Sequence, residues 1–597
     1  MKLLVLGLLA SALWAVPTVS KVEPPNWWPG HTVNSVRVLI HGTELTGATV
    51  QASGLKTRNV RVNAAGTYLF VDVEIPRKAK AGSYPLQIQT ANGKVAADFR
   101  LDEPLSPDGR FQGFSADDVI YLIMPDRFAN GDASNDDPAI SRGLFDRANS
   151  HSYHGGDLQG VIDHLPYLRS LGVTAIWMTP IYDNTNAPNQ QQAVGGKAIS
   201  DYHGYGTTDY YGVEEHFGTM ELLRKLVDEA HKQGIKVIQD QVANHVGPGH
   251  PWVTDEPKPT WFHGSAAQHV NETWQVWSIP DSSAADKLKR DVLDGWFVNI
   301  LPDMNQDDED VARYEIQNAL WWVGMTGFDG IRQDTLPYVP VAFWKDWSAA
   351  LHKQYPKLKA VGEVFDGDPA VTSYFQGSAV DTVFDFPTYF NMREVFAKGG
   401  SFEAAAKTLA KDRYYADANS LVTFLGLHDV RRFMNEPGAT TTRLKMAFAY
   451  LLTVRGTPMI YYGDEIGMRG GEDPDNRRDF PGGWKEDARN AFEASGRSAE
   501  EQEIFAYVQK LLALRAGVPE LRHGRFQDLA VTEKTWAFAR GDEAVVVLNS
   551  GDESADVAVP FRDGVYEAQM GTAELRVSDG RGTARVGGHS VEIYIRH

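Results

Sequence analysis

Between Asp118 and Tyr462 the chain repeats one pattern, a short apolar run followed by a segment of helical period. Eight runs stand out: Val119 to Met124, Ala175 to Met178, Val237 to Val242, Phe328 to Arg332, Ala360 to Val364, Thr382 to Phe386, Leu421 to Leu425 and Met459 to Tyr462. Amphipathic segments lie between them, such as Leu158 to Leu171, Met220 to Gln233 and Val311 to Met325. Gly172, Gly234 and Gly327 each close a helical segment just before the next run, where a left-handed cap belongs. Strands that alternate with helices in this way cannot pair as hairpins and must lie parallel. Eight of them over this length predict an α/β fold, a (β/α)8 barrel, at residues 106–518. The longest interruption, about 245–302, follows the third run and is too long for a plain loop, so it predicts an inserted subdomain.

The flanks have a different texture. Runs such as Ser35 to Ile40, Tyr68 to Ile75 and Tyr84 to Gln89 alternate between Gly, Asn and Pro, which predicts an N-terminal Ig-like β-sandwich over 21–105. Its opening carries Trp27 and Trp28, expected to pack against the next domain. Thr535 to Ala539, Ala544 to Leu548 and Val591 to Ile595 predict a C-terminal antiparallel β domain over 519–597. Residues 1–20 place Lys2 before an apolar run and then small residues, the pattern of a secretory signal, with a cut after Ala12, Ala15 or Ser20. The expected location is therefore periplasmic or secreted. No later segment is apolar for long enough to cross a bilayer, so no membrane insertion is expected once the signal is removed.

With 58 basic against 78 acidic residues, the net charge of -20 argues against a nucleic-acid partner or an anionic membrane. A neutral ligand fits better. There is no cysteine, hence no thiol nucleophile and no disulfide.

In a barrel of this kind chemistry gathers where the strands end. Asp240, Asn244 and His245 stand at the end of the third run, Arg332 and Asp334 at the fourth, Glu363 at the fifth, and His428 and Asp429 at the seventh. Arg332 and Asp334 are two apart on a strand and point the same way, so the guanidinium is expected to hold Asp334 ionised. Glu363, between Val361, Gly362, Val364 and Phe365, is expected to favour its proton.

These stretches, DQVANH, GFDGIRQD, VGEV and FLGLHD, resemble in order the signature regions of the α-amylase superfamily of glycoside hydrolases. The VANH and GFDGIR forms, the sandwich and RRDFPGGW (Arg477 to Trp484) resemble its cyclomaltodextrinase and neopullulanase branch. The resemblance implies a retaining glycosidase with Asp334 as nucleophile, Glu363 as acid/base and Asp429 as the third acid. It implies sugar contacts from Arg332, His245 and His428, and from Tyr205 with His203 nearby in DYHGYGTTDYY. It also implies contacts from Asp473 and Arg477 in EDPDNR, with Phe365 on the leaving-group side. The expected substrate is an α-1,4-glucan such as cyclodextrin, pullulan or maltodextrin. Starch hydrolysis, transglycosylation and non-catalytic glucan binding are the alternatives, and the resemblance allows a homodimer. Leu427 where Asn is common, Gln333 where an apolar residue is usual, and LPDMN at Leu301 to Asn305 depart from the pattern. Asn130, Asp132, Asn135, Asp136, the Gly155 carbonyl and Asp157 match a calcium site of part of this family, and hard oxygen donors suit Ca²⁺.

Overall fold

Gly172 and Gly327 adopt φ of 108° and 82°, values open to glycine at little cost, and each turns a helix into the next strand. The computed structural model describes residues 15–194, 197–571 and 573–596. Its centre is a parallel sheet of eight strands: Ile120–Ile123, Ala175–Met178, Lys236–Gln241, Gly330–Gln333, Lys359–Gly362, Thr382–Val383, Val422–Phe424 and Thr457–Tyr461. They are numbered one to eight below. The ladder runs from the sixth strand through the first to the eighth and seventh, and a parallel bridge between Phe384 and Val422 closes it. All eight apolar runs of the sequence are strands of this barrel. The register is what places the chemistry, since Asp240 pairs with Arg332 and Arg332 with Val361. Polar ends of neighbouring strands therefore stand side by side.

Inside the barrel, Gln333 is fully buried and donates to Gln241 O at 3.0 Å, next to a Gln241–Gln239 bond of 2.9 Å. The glutamine that departs from the apolar pattern thus joins the third strand to the fourth. Leu427 is also buried.

The insertion is rooted by an antiparallel bridge between His245 and Asp303 and carries a short α-helix, Asp286–Leu293, besides two 3-10 turns, Pro251–Val253 and Val276–Ser278. A second excursion was not read from the sequence. A hairpin of Asn189–Val194 and Lys197–Ile199 rises after the second strand, beside a pair formed by Tyr182–Asn184 and Thr207–Val213.

The sandwich packs a four-stranded sheet on a three-stranded one, with Val36, Val38, Ile40, Leu86 and Ile88 between them. Its first strand begins at Thr18, pairing with Thr43, three residues before the expected boundary. Residues 1–14 of the expected signal lie outside the described residues. Trp27 and Trp28 are buried in the seam with the barrel, where Trp321 Nε1 donates to Asn26 Oδ1 at 2.7 Å. The sandwich is further tied to helix Glu309–Thr326 through Asp310, which accepts from Arg61 at 2.7 Å and Lys258 at 2.9 Å and also binds Arg37. At the other end an eight-stranded antiparallel sheet begins at Phe526, after a short helix at Pro519–His523. Among the described residues no helix is long and apolar enough to cross a membrane.

Candidate active site

Arg332 is the hub of the site, buried with 1% of its surface exposed. Its Nη1 binds Asp240 Oδ1 at 3.0 Å and Asp334 Oδ1 at 2.6 Å, while Nη2 binds Glu363 Oε1 at 2.9 Å. The third, fourth and fifth strands thus each deliver a carboxylate to one guanidinium. Asp240 is further fixed by Trp177 Nε1 at 3.0 Å and the Tyr205 hydroxyl at 2.9 Å. Three buried carboxylates on a single cation cannot all ionise cheaply. Burial pushes Glu363 up to about 7 and Asp240 up to about 8, against the pull of Arg332.

Contrary to the expectation from spacing, Arg332 alone does not set Asp334 apart as the charged acid. Burial raises Asp334 too, with Arg332 opposing, and the guanidinium is shared with Glu363. What separates the two acids is the rest of their contacts. Asp334 has the shorter bond to Arg332 and also accepts from Thr335 Oγ1 at 3.0 Å. Glu363 has the longer bond and, among the described residues, otherwise only the Thr335 N–H at 3.2 Å. Shorter, charge-assisted bonds favour the anion at Asp334. Thr335 holds both acids from a left-handed backbone, φ 44°. No sequence pattern marked it.

Across the mouth, Asp429 opens to the cavity with about a third of its side chain exposed; partial desolvation works against its charge, but His428 Nε2 at 3.0 Å and Arg477 Nη2 at 3.1 Å outweigh it and hold this carboxyl below the usual range. Arg477 also reaches Asp473 at 3.2 Å. Tyr205 stacks on His428 with centroids 5.4 Å apart and planes 5° from parallel, and His203 stacks on Tyr205. Burial lowers His203 to about 3 and His245 to about 4, so both rings are neutral at pH 7. His245 Nε2 and His428 Nδ1 are buried and make no hydrogen bond to the protein. Such atoms ask for a partner.

His203, Tyr205, His245, His428, Asp429, Asp473 and Arg477 line one cavity of about 680 Å³, together with Asp334, Glu363 and the half-exposed Phe365, while Arg332, Asp240 and Trp177 stand behind its wall. The opposite wall was not foreseen. Trp274, Phe297 and Tyr338 pack edge to face there, and Phe297 lies 2° from parallel to His245. Trp274 and Phe297 come from the insertion, whose irregular backbone leaves no period to read.

The expected calcium ligands fall on one loop, but two of the six, Asp132 and Asp157, serve its own backbone. Asp157 caps helix Leu158–Leu171, accepting from Gly160 N at 2.6 Å and Asp132 N at 2.8 Å. Asp132 accepts from Ser134 N at 3.0 Å and Ser134 Oγ at 2.6 Å. Asn130 donates to Asp136 at 2.7 Å, and both crowd Gly155, where a Cβ would lie 2.5 Å from Asp136 Oδ1. Asn135 Oδ1 is buried without a partner. Burial, reinforced by Asp157, Asp126 and Glu486, pushes Asp136 up to about 6. Among the described residues, Glu214, Glu215 and His216 also bring ligand atoms within 4.8 Å of one another. Glu214 there is committed to His216 at 2.7 Å and Asn184 N at 3.0 Å.

A closed parallel barrel with three acids and an arginine at its mouth defines a class, and comparison with known proteins supplies the family. Residues 122–524 match the alpha amylase catalytic domain, and the chain belongs to that family of glycoside hydrolases. Residues 21–103 match the N-terminal domain of cyclomaltodextrinase. Neopullulanase 2 of Thermoactinomyces vulgaris is 32% identical over 452 residues, covering 74% of this chain and 70% of the relative. The Beta/alpha-amylase of Paenibacillus polymyxa is 32% identical over 501 residues, and there the match covers 80% of this chain but only 38% of the relative. A crystal structure of an Anoxybacillus alpha-amylase superposes with a TM-score of 0.68 at 32% identity, covering 81% of this chain and 98% of that one.

Proposed function

We propose that the protein hydrolyses α-1,4-glucosidic bonds in cyclodextrins, pullulan or maltodextrins with retention of configuration. The observation that carries this reading is the shared guanidinium, with Asp334 and Glu363 on the two terminal nitrogens of Arg332. Asp334 attacks the anomeric carbon as Glu363 gives its proton to the departing glycosidic oxygen, leaving a glycosyl ester on Asp334. Glu363, now ionised, takes a proton from water, whose oxygen displaces Asp334 and restores both acids. Asp429, held charged by His428 and Arg477, opposes the positive charge that develops on the sugar ring. The free ring nitrogens of His245 and His428 are suited to hydroxyls of that sugar, and Tyr205 to its face. Three acids lining one cavity weigh against a non-catalytic glucan binder.

The cyclomaltodextrinase-type sandwich favours small or cyclic substrates over starch. No sandwich residue lines the cavity of its own chain, so a gate built from that domain requires a second copy, as in a homodimer. The expected kcat/KM for a cyclodextrin exceeds that for soluble starch at least about tenfold, or ~1.4 kcal/mol in transition-state binding. Equal efficiency on starch would assign the protein to the starch-hydrolysing reading, and long-chain products would assign it to transglycosylation.

We also propose a secreted or periplasmic location, on the pattern of residues 1–20, and one structural Ca²⁺ held by Asn130, Asn135, Asp136 and the Gly155 carbonyl. Asp132 and Asp157 would complete its shell. The orphaned Asn135 oxygen and the mutual repulsion around Asp136 support a dication there. When bound, it would hold the loop on the helix that follows. Chelator is expected to lower the melting temperature by removing a native-state ligand, and Asp136→Ala to abolish that response. A melting curve unmoved by chelator, with no calcium by elemental analysis, would leave the self-bonded turn.

A further inference from the structure

On the barrel face opposite the acids, where the strands begin, a second cavity of about 450 Å³ lies in the seam with the sandwich. Its walls come from segments that lead into the first, fourth and fifth strands and from the sandwich turn after Trp27. Phe111 stacks on Tyr355 with centroids 4.7 Å apart, and Trp28 faces Tyr355 across Gly324. That glycine is required, because a Cβ would stand 2.7 Å from the Trp28 ring and 2.9 Å from the Tyr355 hydroxyl.

The chemistry of this cavity is unlike that of the rest of the chain. No Asp or Glu lines it, although the protein carries 78 acids and a net charge of -20. Lys357 is exposed at its rim and forms no ion pair among the described residues. Arg110 spends one terminal nitrogen on Asp228, while its Nε is buried without a partner. His31 Nδ1 accepts from Val33 N at 3.0 Å, so the ring proton sits on Nε2, which is buried and unpartnered. Burial lowers His31 to about 4, which keeps that ring a neutral donor. The one amide oxygen at hand, Gln354 Oε1, is already taken by Thr32 N at 2.9 Å. Donors and cations thus converge between aromatic walls with few free acceptors. A sugar hydroxyl can accept here too, but its own proton would find few free acceptors. A carboxylate only accepts.

We propose that this seam binds a small organic anion, its flat apolar body against the aromatic wall of Trp28, Tyr355 and Phe111 and its carboxylate toward Arg110, Lys357 and His31. Because the walls belong to both domains, the bound anion clamps the sandwich to the barrel and raises the melting temperature by mass action. The reading is independent of the one proposed for the catalytic mouth. It is tested on the full chain by calorimetry with 1-naphthoate, its neutral analogue 1-naphthalenemethanol, and maltotriose. The naphthoate is expected to saturate with Kd below ~1 mM and the alcohol to bind at least about tenfold more weakly. Maltotriose should not displace it. Lys357→Glu, on the surface, and His31→Phe, which keeps the ring and removes the donor, should each weaken naphthoate at least about tenfold. In Lys357→Glu the naphthoate-induced rise in melting temperature should vanish while maltodextrin turnover is kept. Failure to saturate, equal affinity for the alcohol, displacement by maltotriose, or undiminished binding in Lys357→Glu would overturn the proposal.

Discussion

Arg332 at the barrel mouth and Asp310 at the sandwich seam are both hubs of buried charge, and their surroundings are inverted. Arg332 is one cation among three carboxylates, Asp240, Asp334 and Glu363. Asp310 is one carboxylate among three cations, Arg37, Arg61 and Lys258. Burial opposes the charge of Asp310, but the cations outweigh it and hold its carboxyl well below the usual range. At Arg332 the balance runs the other way, so protons stay on acids near neutral pH. An acid that meets three cations, two of them also paired with Asp72 and Asp308, stays charged and joins two domains. A hub with surplus acids keeps a proton that it can give away, which is what a reaction needs.

The most damaging change to this contrast is Glu363→Gln, which leaves the geometry and removes the transferable proton. Turnover is expected to fall ~10²–10⁴-fold with melting temperature unchanged or higher, because a strained buried acid is gone. In the wild type, activity should decline as pH rises through about 7, where Glu363 loses its proton. That limb should be missing from the residual activity of the variant. Retention of more than about a tenth of wild-type turnover would place general acid catalysis elsewhere.

The other hub should answer in stability. Asp310→Asn removes the carboxylate that three cations share, leaving Arg37 to Asp72 and Lys258 to Asp308, and is expected to cost about 3 kcal/mol at pH 7, read from the denaturant midpoint, with kcat of the folded enzyme unchanged. The sign with pH follows from the lowered native value. The stabilisation is complete above the unfolded carboxyl range near 4 and is lost as pH falls through the native value. Wild type and variant should therefore converge in acid. A constant difference at all pH values would mean that packing rather than charge holds the seam.

The barrel was legible because two periods, apolar strands and helical segments punctuated by Gly172, Gly234 and Gly327, agree over more than three hundred residues. The acids were legible because each follows an apolar run and so stands at a strand end. What escaped is what irregular backbone positions. Trp274, Phe297 and Thr335 sit on segments with no period, two of them at left-handed φ. Their place at the mouth follows from long-range packing alone. The sharing of Arg332 escaped for a related reason. Spacing along one strand shows that Arg332 reaches Asp334, whereas Asp240 and Glu363 arrive through register with the strands on either side.

The proposed mechanism requires Asp334 and Glu363 to act as a pair close enough for attack and protonation in sequence, which fixes the stereochemistry of the product. Proton NMR of the earliest product of maltodextrin hydrolysis, recorded before mutarotation, tests this most directly. The α-anomer should appear first and the β-anomer only at the rate of spontaneous mutarotation. Early β-anomer would mean that water attacks the sugar directly, and Asp334 would not be the nucleophile.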